Sequence, residues 1–184
     1  VSFPQVKSGQ AIISAIAVAS RSATVKPMPS PLPLIKNINL KDKWSVNSWL
    51  DKGDYQYSDK GVRFRYLPSN LYGAEWIKTS FVTEQFESDT VAFFVLSEKA
   101  DVFVAVDNRI EKLPEWLNSY MFTNTFIEND AYRYKVYARR FEKDDTVYLG
   151  PNGKIINDKA EMYTVFAVET TALGRAQDQR SVIV

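Results

Sequence analysis

The feature that most constrains this chain is a repeated pattern of short apolar runs, many alternating hydrophobic with polar residues, each closed by Gly, Asn, Asp or Pro. The runs are Ile35, Ile38 and Leu40; Val62, Phe64 and Tyr66; Trp76 and Ile77 to Phe81; Val91 to Leu96; and Val102, Val104 and Val106. The pattern continues with Phe122 to Ile127, Tyr132 to Phe141, Val147 to Leu149 and Met162 to Val168. A period of two places successive side chains on opposite faces of a strand. Roughly nine or ten such segments at regular spacing predict an all-β fold, an antiparallel β-sandwich of the jelly-roll or galactose-binding-like kind. Helix is scarce. The best candidate is one turn over Pro114 to Ser119, where Pro114 suits a helix start. Turns are expected at Asp51-Lys52-Gly53, Asp59-Lys60-Gly61 and Pro151-Asn152-Gly153.

Ahead of these strands, Ala11 to Ala19 (AIISAIAVA) is the one sustained apolar run. Nine residues cannot cross a bilayer, and a strand packed on both faces is the natural reading. Prolines at 27, 29, 31 and 33 then enforce an extended spacer. The expected organisation is a strand in 1–19 left from a preceding domain, a Pro-rich linker over 20–33, a sandwich over 34–170 and a polar tail over 171–184. The chain starts at Val1 without a basic and apolar leader, which reads as a processed product or a fragment.

Several functions are excluded by what is missing. With no Cys and no His among 184 residues, disulfides, thiolate metal sites and histidine general bases are unavailable. A net charge of +1, from 23 basic and 22 acidic residues, offers no global attraction for nucleic acid or membrane. No phosphate loop, nucleophile elbow or zinc signature occurs. The acidic residues scatter through turns and strand edges, so no catalytic residue is assigned. Asp51, Asp54 and Asp59, and Asp144 with Asp145, match no EF-hand spacing. No cofactor or metal ligand is assigned, with a structural calcium left open.

Aromatic residues make up 14% of the chain, and they are the positive signal. Sugar-binding sites use rings because the C–H face of a pyranose stacks on them while polar neighbours bind the hydroxyls. Trp44, Trp49, Tyr55, Tyr57, Tyr72, Trp76, Trp116 and Tyr120 fall in or near predicted turns, where rings are exposed. Two strands add cations. In VRFRY, Arg63 and Arg65 face away from Val62, Phe64 and Tyr66. In AYRYKVYARRF, Arg133, Lys135 and Arg139 share a face with Tyr137, opposite Tyr132, Tyr134 and Val136. Arg beside rings suits a carboxylate-bearing or sulfated glycan. An ordinary solvated sheet face would look the same.

Three segments carry a resemblance: Gly73-Ala74-Glu75-Trp76-Ile77-Lys78-Thr79, then Val102-Phe103-Val104-Ala105-Val106-Asp107-Asn108-Arg109, then Pro114-Glu115-Trp116-Leu117. In order and spacing, across about residues 35 to 170, they resemble an accessory β-sandwich module attached to bacterial secreted pectate lyases and related polysaccharide-degrading enzymes. Phe103 and Val106 depart from the Tyr expected there. The resemblance implies a non-catalytic module, exported to periplasm, cell surface or medium. Its implied partners are a polysaccharide or oligosaccharide and the catalytic domain of the same parent protein, not nucleic acid or membrane. Acidic cell-wall glycans are the expected ligand, with Trp76, Arg109, Trp116, Arg63, Arg65, Arg133 and Tyr137 as candidate binding residues. Asp107, Arg109 and Trp116 serve equally as a structural corner, the ion pair pinning a loop and the indole closing the sandwich end. The segment 9–19 also resembles the final strand of a malectin-like or galactose-binding-like sandwich.

Overall fold

A computed structural model describes residues 33–81, 89–152 and 160–170. The expected strand at 11–19, the spacer up to residue 32 and the tail lie outside the described residues.

Ten strands are described: β1 (Ile35–Asn39), β2 (Ser45–Asn47), β3 (Phe64–Tyr66), β4 (Glu75–Lys78), β5 (Ala92–Leu96), β6 (Ala100–Asp107), β7 (Met121–Asn129), β8 (Arg133–Phe141), β9 (Thr146–Leu149) and β10 (Thr164–Glu169). All pair antiparallel, in a three-stranded sheet of order β1-β5-β9 and a seven-stranded sheet of order β2-β4-β10-β6-β8-β7-β3. The chain is thus an all-β antiparallel sandwich, as the periodicity predicts. A 3-10 turn over Glu115–Ser119 follows Pro114, where the short helix is expected. The strand β2 is not legible in sequence: Ser-Val-Asn has a single apolar residue, and its pairing of Val46 with Ile77 defines it.

Every residue of β6 is buried, because the middle of the large sheet is covered on both faces. Val102, Val104 and Val106 pack with Ile77, Val165, Phe94 and Leu149 between the two sheets. Phe103 and Ala105 face the other way, into a second cluster with Trp76, Phe166, Tyr134 and Val136. That outer face is closed by residues 48–74, which place Leu50, Phe64, Leu67 and Leu71 over it. Glu75 ties this assembly to the start of β1, its carboxylate accepting the backbone N–H groups of Leu34 and Ile35 at 2.9 Å each.

Trp116 seals one end between the sheets. Its indole N–H donates to the Pro151 carbonyl at 2.8 Å, and its ring lies 5.2 Å from Tyr163 and 6.0 Å from Tyr120. Gly150 passes directly beneath: a Cβ there would sit 2.4 Å from Cδ1 of Trp116 and 2.9 Å from the Asp89 carbonyl oxygen. Gly150→Ala is therefore expected to destabilise by about 1–3 kcal/mol, the usual cost of overpacking. A urea midpoint unchanged from the parent would contradict this contact.

Candidate functional site

The two sheets differ in width, and the difference creates an open shelf. Three strands cannot cover seven, so the inner face of the large sheet emerges beyond the roof at β8, β7 and β3. Two residues opposite each other on neighbouring strands share a face. The pairs Phe122 with Tyr137, Phe126 with Lys135 and Glu128 with Arg133 therefore line this shelf. Tyr66, on the last strand, lies beside Phe126, Glu128 and Arg133.

A bulge shapes the shelf. Between Phe122 and Phe126 the register shifts, four residues of β7 spanning two of β8. Thr123 turns inward and donates to the Val136 carbonyl at 2.8 Å, while Asn124 adopts φ 58°, a conformation Asn tolerates. Extended chain would separate Phe122 and Phe126 by about 13 Å. The bulge brings their ring centroids to 5.8 Å, and Phe122 also meets Tyr137 at 5.5 Å. A shallow groove of about 400 Å³ follows, lined by Tyr66, Asn124, Thr125, Phe126, Glu128 and Arg133.

Charge is unevenly spread over the shelf. Arg133 donates from Nε and from its terminal nitrogen to one oxygen of Glu128, at 2.8 and 2.5 Å. Arg139 donates to the Ser119 hydroxyl at 2.8 Å. Neither Lys135 nor Arg139 meets a carboxylate among the described residues. Partial burial pushes the Tyr137 hydroxyl up, so it stays protonated at neutral pH.

A second polar cluster is buried at the end of the sandwich. Glu161 accepts hydrogen bonds at one carboxylate oxygen from the Tyr57 hydroxyl at 3.1 Å, from Asn129 at 3.0 Å and from the Tyr134 hydroxyl. Gln56 links Asn129, Tyr57 and Thr164. The Asp107 carboxylate, wholly inaccessible, accepts the backbone N–H groups of Arg109 and Glu161 and both Nε and the terminal nitrogen of Arg109. Arg109 in turn lies 3.5 Å over the Tyr132 ring. Its hydrogen bond with Asp107 pushes the guanidinium further up.

Burial is the main cause that raises the Glu161 carboxyl above its ordinary range, opposed by its hydrogen bonds from Asn129 and Tyr57. A raised folded value means that this group's stabilising share is complete below the unfolded value and is lost as pH rises through the folded one. Glu161→Gln is thus expected to gain in Tm relative to the parent at pH 7 and to lose that gain near pH 4. Parallel melting profiles of the two proteins across this interval would refute it.

The sequence candidates separate in space. Arg133 and Tyr137 share the shelf. Arg63 instead stacks on Tyr55 at 3.8 Å and donates to the Gly53 carbonyl at 2.7 Å, and Arg65 pairs with Asp130. The Arg63 backbone N–H, followed by the Arg65 guanidinium, holds Asp130 below the usual carboxylate range. Arg109 sits in the end cluster and Trp116 in the plug. Trp76 has no ring face open to a ligand: it is buried, 5.4 Å from Phe64 and 6.5 Å from Phe166. Trp44, Tyr57 and Tyr120 are also buried rather than exposed at turns, whereas Trp49, Tyr55 and Tyr72 are exposed. Tyr66 leaves the buried side of Phe64 because the β3–β7 register shifts between them. Tyr132 belongs to the turn before β8, on Arg109. Sequence reading missed Phe122 and Phe126 as ligand candidates, since only the bulge brings them together. Among the described residues no three metal-binding side chains converge. Asp51, Asp54 and Asp145 bond to nearby backbone N–H groups and Asp59 to that of Phe81.

No family model matches the chain, and no curated protein matches it in sequence. A solved β-glucuronidase from glycoside hydrolase family 2 shares its fold, with a TM-score of 0.71 and 19% identity over 80% of this chain. The chain spans only 16% of that enzyme. A GH138 enzyme targeting pectin rhamnogalacturonan II aligns with a TM-score of 0.49 and 14% identity, over 83% of this chain and 19% of that one. Neither is a pectate lyase; the likeness is to a β-sandwich portion of a larger glycoside hydrolase.

Proposed function

We propose that the chain is a non-catalytic carbohydrate-binding module of a larger, exported glycan-degrading enzyme, and that it contacts acidic cell-wall glycans through the β8–β7–β3 shelf. The observation that carries this reading is the shelf itself, with rings at Phe122, Phe126, Tyr137 and Tyr66 interleaved with Arg133, Lys135 and Arg139. Rings supply stacking surface for sugar C–H faces, and Lys135 and Arg139, which meet no carboxylate among the described residues, supply carboxylate partners. The fold shared with part of a β-glucuronidase supports the setting. Catalysis by the carboxylate pair Asp107 and Glu161 is disfavoured because both are buried and hydrogen-bonded within the protein, whereas a glycosidase pair must flank a substrate. Attachment to a lyase rather than a hydrolase would suit the shelf equally, and localisation outside the cytoplasm follows from a cell-wall substrate.

Native gel electrophoresis of the chain through gels holding pectin, alginate, ulvan or a neutral glucan tests the reading. Retardation by an acidic glycan is expected, and none by any of the four would overturn it. A structural module that packs on a catalytic domain is the second reading. It is favoured by Tyr148 and Ile38, exposed on the small sheet, where Tyr148 lies 6.1 Å from Phe93. Under it, deletion of 34–170 would destabilise the parent enzyme and leave its substrate affinity unchanged.

A further inference from the structure

The shelf is electrostatically divided, and the division constrains what it can bind. At the β3 end, Arg133 is engaged by Glu128, and the groove there contains Tyr66, Asn124, Thr125 and Phe126. An anion entering this groove would meet Arg133 only through the guanidinium N–H groups that Glu128 leaves unused, and would stand beside the Glu128 carboxylate. Like charges at close range cost free energy, so the groove favours an uncharged sugar over a uronate. Uncharged sugar hydroxyls suit it, since Asn124, Thr125 and Tyr66 offer donors and acceptors.

At the other end the balance reverses. Lys135 and Arg139 stand two residues either side of Tyr137 on β8, about 13 Å apart and on one face. The Phe122 and Tyr137 rings lie between them, 5.5 Å from each other. No acidic side chain meets either cation among the described residues. A carboxylate carried over these rings finds Lys135 on one side and, on the other, Arg139, whose guanidinium would swing from the Ser119 hydroxyl and the Phe141 ring to meet it; the two zones are joined by the Phe122–Phe126 contact at 5.8 Å.

The geometry points to a mixed glycan as ligand: an uncharged sugar lies in the groove at Tyr66 and Phe126, and a neighbouring uronate-bearing sugar lies over Phe122 and Tyr137, its carboxylate held by Lys135 and Arg139. This rests on the glycan-binding reading above and narrows it to chains whose charged units are separated by neutral ones. Glu128 is then a specificity residue, set against ligands charged at every unit.

Calorimetry of the full chain with glucuronoxylan, polygalacturonate and unsubstituted xylan, all in the same low-salt buffer, provides the test. Glucuronoxylan is expected to bind more tightly than either of the others. Lys135→Ala with Arg139→Ala should reduce glucuronoxylan affinity roughly tenfold or more, the scale of hydrogen bonds to charged groups, bringing it to the level of xylan. Glu128→Gln should raise affinity for polygalacturonate several-fold and leave xylan unchanged. These side chains are exposed or half-exposed, and an unchanged Tm confirms that each variant is folded. Tighter binding of polygalacturonate than of glucuronoxylan by the parent, or indifference to the double substitution, overturns the inference while the glycan-binding reading stands. Absence of binding to all three overturns both.

Discussion

Trp76→Ala is expected to cost about 3–5 kcal/mol, the range for truncating a buried aromatic side chain, against a total stability of order 5–15 kcal/mol for a domain. The indole sits on β4 between β2 and β10 and holds the outer cluster together, edge-on to Phe64 and stacked on Phe166. Its loss opens a cavity under the segment 48–74 that no neighbour can fill without moving the sheet. Trp76→Phe is the informative companion. The indole N–H is buried without a hydrogen-bond partner among the described residues, so Phe removes an unsatisfied donor along with some volume, and the two changes oppose each other. The expected order of urea midpoints is parent close to Trp76→Phe, both far above Trp76→Ala. A Trp76→Ala protein within 1 kcal/mol of the parent, less than the cavity term alone, would show that this ring does not organise the cluster.

Asp107→Ala is expected to be comparably severe. Its carboxylate is wholly buried and accepts from two backbone N–H groups as well as from the Arg109 guanidinium. Removing one member of a buried ion pair typically costs about 3–5 kcal/mol, because the surviving charge is left without compensation. Here Arg109 is partly exposed and keeps the Tyr132 ring, which softens the loss, whereas the Glu161 N–H loses its acceptor in a dry site. Asp107→Asn preserves shape and one acceptor and is expected to fall between the two. Denaturation midpoints in the order parent, Asn, Ala are the required result. If Asn proves no better than Ala, the charge rather than the hydrogen bonds holds the corner.

The strands were legible because their determinant is local. Val102, Val104 and Val106 alternate, and alternation alone specifies a face. What was not legible depended on partners distant in sequence. Trp76 opens an apolar run yet also reads as a ring in or near a turn and so as a ligand candidate; only β10 and the 48–74 segment bury it. Tyr66 read as sharing a face with Phe64, and a register shift against β7 reversed it. Phe122 and Phe126 were ordinary strand residues until a bulge, announced by nothing more than Thr-Asn-Thr, folded them together. Arg133 and Tyr137 were identified correctly as cohabiting one face. The Glu128 that limits Arg133 came from the opposite strand, and pairing between strands is not written in either one. Asp107, Arg109 and Trp116 occupy the corner and plug that their motif order also allowed.

The placement of β2 and β3, successive in the chain yet at opposite margins of the seven-stranded sheet, has a kinetic consequence. The intervening residues must travel the full width of the sheet, so the outer cluster cannot close until both margins exist. The β7–β8 hairpin needs only local chain closure, while the crossing needs nearly everything else in place. Folding should then run on the slow timescale of topologies dominated by distant pairings, roughly milliseconds to seconds. Leu50, carried on the crossing segment, makes its contacts late. Weakening it would quicken unfolding and barely alter the folding rate, so the lifetime of the folded module is set by its strap while its rate of formation is set by its central strands.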